Sequence, residues 1–236
     1  VNTYSRLLWG LQYNLGRSTI VTQSLLVNLD AGNRTSYPGS GSTWFDISGN
    51  NRNGILYNGP TFNSADGGSI VFDGVNDYVS GSGAVLTTQG TITVWFKTSN
   101  TYSNNYLMSI PLAGGANGFD LGFGGSTTFR GTVVTTSGAK FLNYTTTYSD
   151  NNWHMAAIAY SASSAIFYYD GVARTTDTTL SGSLQQNANG QFYLGSFDGT
   201  GYYVSASISN AVIYNRALTA AEITQNYNAT RGKFGI

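Results

Sequence analysis

The sequence predicts an all-β, antiparallel jelly-roll sandwich closed by one short C-terminal helix, and three observations predict it. From Leu25 onward, apolar segments of four to eight residues alternate with clusters of Gly, Asn and Ser, the pattern of short strands joined by turns. Asp170-Gly171 stands between two such segments and is the commonest short hairpin signal. Thr219-Ala220-Ala221-Glu222 spells a capping box, in which the Thr hydroxyl accepts from the third helical amide while Glu222 reaches back.

The elements follow in order. Residues 1–24 contain Leu7, Leu8, Trp9, Leu11, Tyr13 and Leu15 in no clean helical or strand period. Two readings are open for this stretch: a first strand packed on the domain, or an arm that docks on a partner subunit through Leu7, Leu8, Trp9 and Tyr13. Residues 25–236 form one domain, with no solenoid-length repeat and no linker dividing them. Its predicted strands are Leu25–Asp30, Gly54–Tyr57, Ser69–Phe72, Tyr78–Ser80, Thr91–Lys97, Tyr106–Ile110, Phe119–Phe123, Thr127–Thr135, Lys140–Thr145, His154–Ser161, Ala165–Tyr169, Val172–Thr176, Phe192–Gly195 and Ser205–Tyr214. In Thr91–Lys97 the apolar Ile92, Val94 and Phe96 alternate with Thr91, Thr93 and Trp95, which suits burial on both faces. The capping box starts a helix that runs to about Tyr227. Trp44, Trp95 and Trp153 read as core.

Composition excludes several functions. Eleven basic and eleven acidic residues cancel, so no net field draws nucleic acid or an anionic membrane surface. Charged residues make up 9% of the chain, and only Lys97, Lys140 and Lys233 are lysines. A nearly uncharged surface with few lysines on its strand edges favours association, including with copies of itself. Without cysteine there is no disulfide or thiol chemistry. No apolar run reaches the ~20 residues of a membrane helix, and Val1–Trp9 lacks the order of a signal peptide. Val1 in place of an initiator Met reads as the result of processing.

Blocks along the chain resemble the laminin-G-like, concanavalin A-like jelly roll. They are Leu29-Asp30-Ala31-Gly32-Asn33, Trp44-Phe45-Asp46-Ile47-Ser48-Gly49-Asn50, Ile70–Val79, Asn152-Trp153-His154-Met155-Ala156-Ala157-Ile158 and Ile208–Thr219, in the family's order. The opening Leu29–Pro38 and the ending Asn228–Ile236 resemble laminin-G-type structural proteins of tailed phages, notably those of cyanobacteria. That resemblance implies a non-enzymatic virion protein on the particle surface: a capsid decoration, head-fibre or tail-fibre module. Its partners would be other virion proteins, its own copies and host-surface glycan. A lectin-like adhesin, extracellular or on a cell surface, is the alternative. Where many relatives carry an acidic pair in the closing strand, Ser209 and Asn210 stand here.

Catalytic chemistry is mostly missing. A glycosidase needs two carboxylates flanking the bond, and the ten Asp and one Glu show no closely spaced set on a strand. His154 is the only His and sits at the start of an apolar strand, which favours a structural role over a Ser-His-Asp triad. Gly49 and Gly54 have the outer spacing of a phosphate loop, but Ile55 stands where Lys is required. Calcium is the candidate cofactor, through Asp30, Asp46, Asp73 and Asp77 in loops the fold could bring together; the preferred reading gives these carboxylates to turns. Glycan binding uses flat aromatic faces beside Asn or Asp. Two loops carry that mixture: Tyr102, Asn104, Asn105 and Tyr106, and Asp198, Tyr202 and Tyr203.

Overall fold

The computed structural model describes residues 19–236. The candidate arm residues Leu7, Leu8, Trp9 and Tyr13 lie outside these. The chain forms β1 (Leu25–Asp30), β2 (Thr43–Trp44), β3 (Gly54–Tyr57), β4 (Thr61–Asn63), β5 (Ser69–Asp73), β6 (Tyr78–Gly81), β7 (Gly90–Lys97) and β8 (Tyr106–Ile110). It continues through β9 (Phe119–Gly125), β10 (Thr128–Thr135), β11 (Gly138–Thr145), β12 (His154–Tyr160), β13 (Ala165–Tyr169), β14 (Val172–Asp177), β15 (Phe192–Leu194) and β16 (Ser205–Tyr214). A single α-helix, α1 (Ala220–Thr230), and a 3-10 turn over Arg231–Phe234 close the described chain. Every strand predicted from the sequence is present, with ends displaced by two residues at most. The expected antiparallel sandwich with one C-terminal helix is therefore the observed fold.

Two sheets face each other. The first runs β14-β13-β12-β7-β16-β5-β4, with β1 also pairing β16. The second runs β11-β10-β9-β8-β15-β6-β3-β2. The inner faces share one core, in which Phe96 meets Phe129 at 5.2 Å and Phe123 at 6.1 Å between ring centres. β16 is long enough to pair β5 through Ser205–Ile208 and β1 through Asn210–Tyr214, so one strand anchors two others end to end.

The first sheet is covered on its outer face as well, which explains the two-sided burial of β7. Ile92, Val94 and Phe96 point into the main core. Trp95 points the other way, 5.5 Å from the Tyr227 ring and 4.5 Å from Phe234, and its Nε1 donates to Thr230 Oγ1 at 2.8 Å. Thr91 is buried without cost because its hydroxyl donates to the Arg216 carbonyl and accepts from the Leu218 amide. Trp44 and Trp153 are core residues, as expected.

The capping box forms as predicted: the Glu222 amide donates to Thr219 Oγ1, and Glu222 accepts from the Thr219 amide. Arg216 clasps the same carboxylate through both terminal nitrogens at 2.6 and 2.8 Å, which holds its pKa down to about 2. The helix then runs three residues past Tyr227. Residues 19–24 pack against it: Gln225 Nε2 donates to the Thr19 carbonyl, and the Val21 amide donates to Asn226 Oδ1. At the β13–β14 turn, Asp170 and Gly171 take φ of 52° and 76°, the left-handed pair a tight hairpin needs.

Candidate functional site

The outer face of the second sheet is left uncovered by the helix, and alternation along its strands decides what that face displays. In β10, Phe129 and Val133 enter the core, so Arg130 and Thr132 turn outward. Arg130 pairs Gly122 of β9, and Gly122 pairs Tyr106 of β8. Arg130 also pairs Asn143 of β11, next but one to Phe141. Gly122 thus lies between two large polar side chains. A Cβ there would run into the Asn105 carbonyl oxygen, so this position stays bare and the face dips.

A cavity of about 420 Å³ lies over that dip, lined by Asn104, Tyr106, Asn117, Arg130, Phe141, Phe197 and Tyr202 together with Gly115 and Ala116. Binding clefts fall in the range of roughly 300–1,000 Å³. Tyr106 packs 4.8 Å from Phe197 and meets Tyr202 edge-on at 6.0 Å. Tyr202 is 56% exposed and presents its ring at the rim. Arg130 Nη1 donates to Asn104 Oδ1 at 3.1 Å, and the Tyr106 hydroxyl donates to Asn117 Oδ1 at 2.9 Å. Among the described residues, the amide NH2 groups of Asn104 and Asn117 and the Tyr202 hydroxyl have no protein partner. Aromatic walls with unpartnered amides are a chemistry suited to sugar C–H faces and hydroxyls.

Beneath this floor Asp120 is wholly buried. Its carboxylate accepts from Ser109 Oγ at 2.7 Å and from the Gly118 amide at 3.1 Å. Burial dominates over these bonds and pushes its pKa up to about 7. Burial also raises the Tyr106 hydroxyl, with the Asp120 charge adding to it.

The structure joins the two loops proposed from the sequence. Asn105 Nδ2 donates to the Tyr203 carbonyl at 2.7 Å, and the Tyr106 amide to the Tyr202 carbonyl. Asn104, Tyr106 and Tyr202 reach the cavity; Tyr102, Asn105, Asp198 and Tyr203 do not line it. Tyr102 stacks on Phe123 at 5.1 Å, and its hydroxyl bridges the Ser205 carbonyl and amide. Asp198 accepts from the Thr200 amide and hydroxyl, and the Tyr203 hydroxyl donates to the Gly199 carbonyl. Asn117, Arg130, Phe141 and Phe197 were missing from the sequence reading. The period-two alternation of Phe129-Arg130-Gly131-Thr132-Val133 was the one signal that could have found Arg130.

The four calcium candidates are not gathered at one point. Asp30 pairs with Lys233 at 2.5 Å. Asp46 accepts four bonds, from the Asn28, Ser48 and Arg52 amides and the Ser48 hydroxyl. Asp73 accepts from the Val75 and Asn76 amides, and Asp77 from the Asp73 amide. Among the described residues no group of three or more His, Cys, Asp or Glu is placed to hold a metal ion. The buried Ser209 and Asn210 bond the Gly68 carbonyl and the Asn28–Leu29 segment, so both side chains serve the packing of the closing strand.

His154 stands on the first sheet, away from the cavity. Its Nδ1 lies 2.9 Å from Asp170 and its Nε2 3.2 Å from Asp150. Burial opposes its charge, but the hydrogen bonds and charges of Asp170 and then Asp150 outweigh it and raise its pKa. It clamps a loop to a hairpin. No described helix is long and apolar enough to cross a membrane.

A profile of Laminin_G_3, the concanavalin A-like lectin/glucanases superfamily, matches residues 73–224. Among solved structures, the botulinum neurotoxin type G receptor binding domain aligns with a TM-score of 0.64 at 16% identity, over 86% of this chain and 51% of that one. The botulinum neurotoxin serotype D ligand binding domain, in complex with N-acetylneuraminic acid, aligns with a TM-score of 0.67 at 13% identity, over 88% and 51%. The binding domain of Paraclostridial Mosquitocidal Protein 1 gives 0.66 at 15% identity, over 88% and 52%. This chain spans about half the length of these structures, and likeness at such identity concerns the fold. No curated protein matches the sequence.

Proposed function

This chain belongs to the concanavalin A-like lectin/glucanases superfamily, and from that premise we propose that it is a lectin-like, carbohydrate-binding domain whose site is the cavity over Gly122. The observation that carries the reading is the convergence of Tyr106, Phe197 and Tyr202 with the open amides of Asn104 and Asn117. The described lining holds no carboxylate, which suits binding better than glycoside hydrolysis, where an acid pair is needed. The structural neighbours are receptor and ligand binding domains, which supports the same reading. A glycan array should identify saccharide ligands, and Tyr202→Ala or Asn117→Ala should weaken binding to them by roughly tenfold or more. Thermal melts of both variants should match the parent. Unchanged affinity in both variants would move the site elsewhere.

A second reading takes the domain as a phage virion structural protein, exposed on the particle as a capsid decoration, head-fibre or tail-fibre module. The phage-like flavour of Leu29–Pro38 and Asn228–Ile236 and the sparse charge favour it. The two readings are compatible, since a fibre module can also bind host glycan. Under this reading the purified chain forms a stable homo-oligomer in multi-angle light scattering, or attaches to capsids lacking it. A monomer that also fails to attach to capsids would rule the reading out.

A further inference from the structure

The lining of the candidate cavity is neutral except for one group, the Arg130 guanidinium. In a chain with only eleven basic residues, a cation set among aromatic rings and amides calls for a reason. Among the described residues no carboxylate lies within ion-pair distance of it; the ion pairs involve Lys97, Lys140, His154, Arg216 and Lys233. Its partners are neutral: Asn104 Oδ1 at 3.1 Å and, at 3.5 Å, the Tyr106 hydroxyl. One face of the guanidinium lies 5.0 Å over the Phe141 ring. Stacking fixes the plane of the fork and leaves its edge for hydrogen bonds.

Two carboxyl groups near the site form no ion pair with it. Asp120 is buried below, its oxygens already accepting from Ser109 and Gly118, and burial favours its uncharged form. Asp198, beside Gly115 at the edge of the site, bonds the Thr200 amide and hydroxyl through one oxygen and makes no bond to Arg130. Arg130 therefore retains unused N–H donors in a planar group that lines the cavity. A planar carboxylate satisfies such a fork with two parallel, charge-assisted bonds, which a neutral hydroxyl cannot match.

We infer that the cavity selects acidic saccharides, with Arg130 receiving the sugar carboxylate while Tyr202 and Phe197 cover the ring and Asn104 and Asn117 bond its hydroxyls. This rests on the carbohydrate-binding reading above and adds the chemical class of the sugar.

The test uses ligand pairs that differ in charge: trigalacturonic acid against its methyl ester, and 3′-sialyllactose against lactose. Calorimetry on the full chain at low and moderate salt should show at least one acidic member binding roughly tenfold or more tighter than its neutral partner. That preference should shrink with added salt. In Arg130→Gln the ratio within the pair should fall to about one, and Arg130→Lys, which keeps charge without the fork, should fall between. The paired ligands decide the matter on the parent protein even if a variant folds poorly. Equal binding within both pairs, or binding only of neutral sugars from the array, overturns the acidic assignment and leaves the carbohydrate reading standing. Absence of binding to every saccharide, neutral or acidic, overturns both.

Discussion

An Asp120→Asn variant should lose less stability than the parent between pH ~4 and ~7, by on the order of 4 kcal/mol. The sign follows from proton binding. Buried Asp120 has its pKa pushed from 3.8 to about 7, so in this window the folded chain keeps a proton that the unfolded chain has released. Stability contributed by that proton is fully present below about pH 4 and falls as pH rises until the folded group ionises near 7. A difference of ~3 pH units at about 1.36 kcal/mol each sets the magnitude. Asn removes the titration but not without loss, because one of its two polar atoms donates. Its NH2 brings two hydrogens where the protonated carboxyl group brings one, so beside Ser109 and Gly118 one donor is left over. The variant should therefore be the less stable protein at pH 4, by about 1–2 kcal/mol, and the more stable one at pH 8.5. Urea unfolding of both proteins at four pH values tests this, and parallel curves would show that Asp120 does not titrate in this range.

Asp46→Ala should lower stability by about 3–5 kcal/mol. The carboxylate is nearly buried and accepts at 2.8 Å from the Asn28 amide on β1, at 2.9 Å from the Ser48 amide, at 2.7 Å from the Ser48 hydroxyl and at 3.0 Å from the Arg52 amide. Truncation loses all four bonds and strands the Asn28 amide away from water. At about 2–4 °C per kcal/mol for a chain of this size, the melting temperature should drop by roughly 10 °C. Asp46→Asn should fall between the two, since it keeps one acceptor. A chelator added to the parent should leave its melting temperature unchanged if Asp46 serves the turns. A clear drop would instead assign the carboxylate to calcium.

What the sequence disclosed follows physical scale. Strands of four or more residues carried a readable apolar run or alternation and were found, as was three-residue β15, whose Phe192-Tyr193-Leu194 is wholly apolar. β2 and β4, at two and three residues, are too short to show a period, and neighbouring turn residues mask them. Burial of β7 on both faces was readable because Trp95 sits among apolar neighbours. The site was readable only in part. The loops around Asn104 and Tyr202 had the right residue mixture, yet Tyr102 belongs to the core and Tyr203 braces its own loop. Arg130 and Phe141 enter through strand order and register, which one linear chain does not reveal. Nor does Phe119-Asp120-Leu121 say that its carboxyl group will be sealed in, since that depends on Ser109 from the neighbouring strand and on Tyr106 above it.

The contact between Val21 and Asn226 places both ends of the described domain on the helix side of the sandwich. The cavity opens on the opposite side. A domain connected to its neighbours through either end, whether in a longer polypeptide or a larger particle, presents its cavity outward by construction. Fusing a carrier to the C-terminus should then leave ligand access unobstructed, whereas immobilisation through the β10–β11 face would block it. The helix side, where both described ends lie, and the cavity side are separated by the thickness of two sheets.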